Sequence, residues 1–230
     1  SKLGGLATAV AGFGIGSFIV DQAKESINAF QNAQTTSAAF QATMAKFPKL
    51  GKDASSELQE LDEKLMNTTK YNAEDDEAMQ STLAAYNLTG DQIKTLTPLV
   101  QDLAAKTGLS LPNAAKQLGL ALNGGASRSL KQVGIQFKKT GSLAGNYKEL
   151  VGQLTDKVGG YAKVAGSTAA GQTAILHNRI EALQIKIGNA LMPVLSEVVT
   201  WINAKVVPAF QKGADWITSH KGDISAFAGQ

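Results

Sequence analysis

Cysteine is absent from this chain of 230 residues. That rules out disulfides and cysteine-ligated metal centres, and leaves the redox compartment unmarked. Aromatic residues are scarce at 6%, and small Ala and Gly side chains fill much of the apolar share. Small side chains bury little area each, at about 25 cal/mol per Å². The composition therefore predicts thin, elongated helix pairs rather than a thick core. Arginine occurs only as Arg128 and Arg179, although Arg makes the commonest specific base contacts. The net charge of +3 rests on scattered Lys, with Lys138-Lys139 the one adjacent pair. This pattern reads as solvated helix faces, and no specific nucleic-acid binding is expected.

Catalytic signatures are missing as well. The two histidines, His177 and His220, lie far apart and outside any HExxH spacing, so a zinc site has no ligand set. Neither a GxSxG elbow nor a GxxxxGK[ST] loop occurs. Carboxylate pairs such as Glu57 and Glu60 sit at helix-surface spacing, with no recess to raise one pKa. His177 lies one position from an apolar helix stripe, where a structural or solvent-facing role fits best. The chain reads as a non-enzyme with no cofactor, metal or catalytic residue.

What is present is helix. Leu3 to Val20 is an uncharged run of 18 residues, at the lower limit for a membrane-spanning helix. Within it Gly12 and Gly16 form a GxxxG pair beside Phe13 and Phe18. Small residues at that spacing let a second helix approach closely. The same glycines do not make a dinucleotide fingerprint, because no strand precedes them and the third is misplaced.

From Val20 the chain turns amphipathic through Ala23, Ile27 and Phe30, and the stripe resumes at Met44 and Phe47 before Pro48 stops the helix. A second helix follows Asp53, with Leu58, Leu61 and Leu65 on one face. Asn72 is a natural N-cap for a third. Glu74, Asp75, Asp76 and Glu77 crowd its first turn, complementing the positive end of the helix dipole in preference to forming a metal site. Thr89-Gly90 is read as closing that helix and Thr97-Pro98 as opening the next, which ends at Gly108. Ser110 caps another, stopped by Asn123-Gly124-Gly125. A short helix from Ser127 to Val133 ends with Gly134 as its left-handed C′ residue and Ile135 as the apolar contact. Residues 136 to 146 read as a loop before a helix from Tyr147 to Val158.

The last third is the most regular. Leu176, Ile180, Leu183, Ile187, Leu191, Val194, Val198 and Trp201 recur at three- and four-residue steps, as in a coiled-coil seam or one side of a bundle. Pro193 is expected to start a new helix or kink the old one, and Pro208 to open a final short one. No strand is expected, so the fold class is all-α: helical hairpins and a bundle, with a long C-terminal helix. Three regions follow: 1–50, an apolar Gly-rich helix running into an amphipathic one; 51–165, small-residue helices; and 166–230, the seam-bearing helix and its end.

Two stretches carry a family resemblance. Residues 88–135 include the "LAAKTG" helix end, the helix from Leu111 to Leu122, the Asn-Gly-Gly break and the "LKQVGI" turn; residues 173–195 add "IGNALMPVL". In order and spacing these features resemble the conserved helical region of phage tail tape measure proteins, over roughly half the chain. The opening Ser1-Lys2-Leu3, without Met, fits a piece of a longer polypeptide, and no secretory signal peptide is expected.

The resemblance implies a structural protein of the virion, made in the host cytoplasm. Such a protein sets tail length, occupies the tube lumen or tip, and leaves ahead of the DNA on ejection. Its implied partners are other copies of itself, three being the expected number and six the alternative. Tail tube, distal tail and tip proteins, tail assembly chaperones, and the host membrane on ejection complete the set. Fully helical, the chain would span about 345 Å, but its Gly and Pro stops imply a folded-back bundle rather than the ruler itself. Ile180, Leu183, Ile187, Leu191, Val194 and Val198 are the expected self-association seam; Gly12, Gly16, Phe13 and Phe18 are the expected packing or membrane segment. The alternative is a membrane-active helical protein, a pore former or secreted effector, that inserts through residues 3–20.

Overall fold

The structure, a computed structural model, describes residues 15–125, 127–136 and 140–219. Among them every regular element is helical and no strand occurs, so the fold is all-α. Helix α1 spans Ile15–Met44 and is followed by a 3₁₀ turn at Pro48–Leu50. Then come α2 (Ala54–Leu65), α3 (Ala73–Ala84), α4 (Gly90–Thr107), α5 (Leu111–Leu122), α6 (Arg128–Gln132), α7 (Leu143–Val158) and α8 (Tyr161–Gly166). The long α9 runs Ala169–Trp201, a π turn covers Ile202–Val206, and α10 is Val207–Ser219. By internal contacts the chain divides into two units: Gln31–Leu183, and the stretches to Phe30 and from Gln184 onward.

Helix ends follow local chemistry. The Asn72 side chain accepts from Asp75 N–H, as an N-cap should. Ser127 caps α6 by accepting from Leu130 N–H. At the other end of α6, Ile135 N–H donates to Leu130 O at 2.9 Å and Gly134 N–H to Lys131 O at 3.0 Å. This is the Schellman pair, with Gly134 at φ 81° as its left-handed residue. Gly108 closes α4 in the same conformation, φ 74°. The loop read at residues 136–146 is shorter than expected, because Ser142 accepts from Gly145 N–H and starts α7 early.

One reading of proline is corrected. Thr97-Pro98 does not open a helix. It lies inside α4, which starts at Gly90 behind a reciprocal capping box between Thr89 and Gln92. Ile93 and Leu96, on the N-terminal side of Pro98, are fully buried, and their burial holds that segment helical despite the lost donor. Thr89 therefore begins α4 rather than closing α3. Of the two expectations for Pro193, a new helix or a kink in the old one, the first does not hold, because Pro193 lies inside α9.

The Gln31–Leu183 unit also has more core than its small residues foretell. Helix α4 is its centre and packs against α2, α3, α5, α7 and α8. Met79, Leu83, Leu103 and Leu118 are among its fully buried side chains. Alanine helps rather than hinders: Ala114, Ala115 and Ala121 are fully buried, and small residues let backbones approach so that leucines on the adjoining turns interdigitate. Tyr86, just past α3, lies against Gly119 of α5, where any Cβ would run into its ring.

Candidate functional site

In the unit that includes Gln184 onward, two helix segments meet at a point with almost no side chain. A Cβ on Gly188 of α9 would run into the backbone carbonyl of Ser26 and come within 2.6 Å of Phe30 Cβ in α1. Gly188 and Ser26 are both buried. Beside the crossing, Gln184 Nε2 donates to Glu25 Oε2 at 3.4 Å. This small-residue crossing was not among the sequence expectations, which placed it at Gly12 and Gly16. Its signal was the lone Gly inside the apolar "IGNAL" run, since an interior helix glycine at a packed position often marks a close backbone approach. Gly12 and Phe13 lie outside the described residues. Gly16 and Phe18 fall in the first turns of α1, whose side chains are also outside them.

With Gly188 facing α1, the apolar stripe of α9 is turned away. Ile187 is 42%, Val194 58%, Val198 46% and Trp201 60% exposed, while Leu191 is half-buried. Val199 and Ile202 are exposed too, widening the face beyond one seam. In the other unit Leu176, Ile180 and Leu183 of the same helix are likewise exposed. The buried side of α9 there is Ile175 and Asn178, whose side-chain amide donates to Lys70 O. Scattered exposed apolar residues are ordinary, whereas a set this large at helical spacing marks a surface that meets something apolar. The stretch Ala169–Trp216 is, among the described residues, the one helical segment long and apolar enough to cross a membrane, by length and composition alone.

The second distinctive feature is polar and buried. Asp62 of α2, Asp76 and Gln80 of α3, and Thr97 and Gln101 of α4 are all at or near zero exposure. Gln80 Nε2 donates to Asp62 Oδ1 at 2.6 Å, and Thr97 Oγ1 lies at 3.5 Å from the same nitrogen. Gln101 Nε2 donates to both oxygens of Asp76 at 2.8 Å. One turn on, Gln59 Nε2 donates to Glu77 Oε1 and to Ser37 Oγ. Burial raises the carboxyl of Asp62 to about 9, helped by the charges of Asp76 and Glu77. It raises Asp76 to about 7 against the lowering effect of Gln101.

The acidic cluster at the start of α3 thus divides. Glu74 and Asp75 stay at the surface, where they complement the helix dipole, while Asp76 and Glu77 turn inward. Sequence periodicity hid this, because polar residues four apart read as a solvated face. His177 is exposed. Among the described residues no group of three or more His, Cys, Asp or Glu is placed to hold a metal ion. Asp102 serves structure: its carboxylate accepts from Gly160 N–H at 2.9 Å and Ala162 N–H at 2.8 Å, capping α8 across the fold. No protein-family model, curated protein or solved structure matches this chain.

Proposed function

We propose that this chain is a structural, non-catalytic segment of a phage tail tape measure protein, and that it works by associating with further copies of itself through α9. The observation that carries the reading is the exposed apolar face of α9 at Ile187, Val194, Val198 and Trp201. Such a face gains stability only when another apolar surface covers it. Its three- and four-residue spacing suits another helix, and an identical helix from a second copy has the matching period. Within a tail lumen several parallel copies would supply that neighbour. Three copies are expected, although mixed Ile and Leu seam positions do not fix the number. The motifs between residues 88 and 195 that resemble tape measure proteins support the same reading, and partners in the tube, tip and chaperones follow from it.

Sedimentation velocity on the purified chain tests the association. The wild type should form concentration-dependent oligomers, and Ile187→Asp should remain monomeric, because a carboxylate in a desolvated seam costs several kcal/mol unless neutralised. Single cysteines at positions 183 and 187, clean in a chain without native Cys, should cross-link between copies. A wild type that stays monomeric at all concentrations defeats the proposal.

A second reading draws on the apolar stretch Ala169–Trp216: a membrane-active protein that inserts there or through residues 3–20. Flotation with anionic and neutral liposomes separates the two. Binding that survives high salt and is abolished by Val194→Asp favours the membrane, since insertion depends on apolar area rather than charge.

A further inference from the structure

Two buried atoms on opposite sides of one hydrogen bond are left without partners. Gln80 donates through Nε2 to Asp62 Oδ1, yet Gln80 Oε1 and Asp62 Oδ2 have none. Both residues are fully buried. Two such orphans, cut off from water, would each carry the full desolvation penalty of a polar group if nothing satisfied them. The fragments themselves supply a remedy. A primary amide and a neutral carboxylic acid are complementary: the amide N–H donates to one acid oxygen while the acid O–H donates back to the amide oxygen. One proton on Asp62 Oδ2 turns two unsatisfied acceptors into a donor and its acceptor.

The surroundings favour a proton over a counter-charge. The charged groups facing Asp62 from α3 are Asp76 and Glu77, both carboxylates. From α4 the uncharged Thr97 reaches Gln80 and the uncharged Gln101 reaches Asp76, while Lys94 pairs with Glu57 at 3.1 Å in an exposed position. The contrast with Asp76 is informative. Gln101 Nε2 is shared equally between both Asp76 oxygens, an arrangement that suits a carboxylate with charge on both atoms. The two acids, one on α2 and one on α3, therefore have different hydrogen-bonding roles.

We propose that Asp62 is carried as a neutral carboxylic acid that closes a two-point pair with Gln80, and that loss of this proton is a pH-sensitive latch on the junction of α2, α3 and α4. The sign follows from linkage. In the folded chain Asp62 keeps a proton that the unfolded chain releases near pH 4. Stability is therefore greatest below that point and falls as pH rises through the neutral range toward about 9, where the folded form also lets go. Acidification tightens the junction and alkali loosens it. The raised carboxyls of Asp76, Glu77, Glu74 and Asp102 act in the same direction.

The test is chemical denaturation of the full chain between pH 5 and 8, with and without a chelator, for wild type and Asp62→Asn. The asparagine amide keeps the shape and can donate to Gln80 Oε1 but cannot titrate. One retained proton changes the folding equilibrium tenfold per pH unit, and Asp62→Asn should remove about that much of the slope. Infrared difference spectroscopy on the wild type reads the proton directly, even if the variant folds poorly. A protonated carboxylic acid band that persists at pH 8, above the titration of Asp76 near 7, and that is absent after Asp62→Asn or lost above about pH 9, is expected. Absence of that band overturns the proposal. So does an unchanged slope in a folded Asp62→Asn protein, or a stability that rises with calcium or magnesium through Asp62.

Discussion

Gly188→Leu is the most informative single substitution, because the glycine sits where α9 meets α1 with no room for a side chain. Even a methyl group would lie within 2.6 Å of Phe30 Cβ and closer still to the Ser26 carbonyl. Carbon atoms in contact normally stay about 3.5–4.0 Å apart, so the helices must separate by roughly 1 Å to admit Ala and by more to admit Leu. Overpacking of this kind costs about 1–3 kcal/mol. Replacing an interior helix glycine with alanine returns about 1 kcal/mol through propensity. Gly188→Ala should therefore be destabilising by about 0–2 kcal/mol, and Gly188→Leu by more. Gly213, within α10 with nothing near its Cβ position, is the control. Gly213→Ala should gain about 1 kcal/mol from propensity alone. The assay introduces Glu25→Cys and Gln184→Cys, at side chains that touch across the crossing, and follows disulfide formation alongside thermal melting. The pair should close readily in the parent and slowly with Gly188→Leu. If Gly188→Leu leaves both the closing rate and the melting temperature unchanged, the close crossing is wrong.

Two further substitutions probe the frame that holds these features. Thr89→Ala removes one half of the capping box on α4 and should cost about 1 kcal/mol in urea denaturation, whereas a start at Thr97 would leave it neutral. Asp102→Ala strips the acceptor from Gly160 N–H and Ala162 N–H. It should cost about 1–3 kcal/mol and speed hydrogen exchange at both amides; unchanged exchange would show that α8 does not depend on this cap.

Much of the secondary structure was legible because helix ends are local chemistry. Asn72, Ser127, Gly108 and Gly134 act as their types and neighbours suggest, since a cap involves residues within a turn of one another. The errors arose where tertiary burial outweighed a local signal. Thr97-Pro98 is a good helix start in isolation, but the fully buried Ile93 and Leu96 extend α4 back to a stronger cap at Thr89. The apolar stripe of α9 was visible as a period. What it faces was not, because Gly188 rather than any large residue decides which side of α9 meets α1. The inward turn of Asp76 and Glu77 left no periodic trace at all.

The buried polar residues also supply something a core of leucine and alanine lacks, which is a reason for one register. Asp76 faces Gln101 and Gln80 faces Thr97, so the rungs run in opposite directions along α3 and α4. Apolar side chains of similar size tolerate a slip of one helical turn at modest cost. The polar rungs do not. Slipped one way, Asp76 would meet Ala105 and lose its amide donor. Slipped the other way, it would meet Thr97, whose hydroxyl already donates to Ile93 O, while Gln80 would meet the side chain of Ile93. Either slip takes from Asp76 the amide that donates to both its oxygens, a loss of about 1–3 kcal/mol or more for a buried polar group. In a chain this poor in aromatic residues, where few large shapes distinguish one turn from the next, that penalty is what aligns α3 with α4. It also explains why such expensive groups occupy the centre of the Gln31–Leu183 unit rather than its surface.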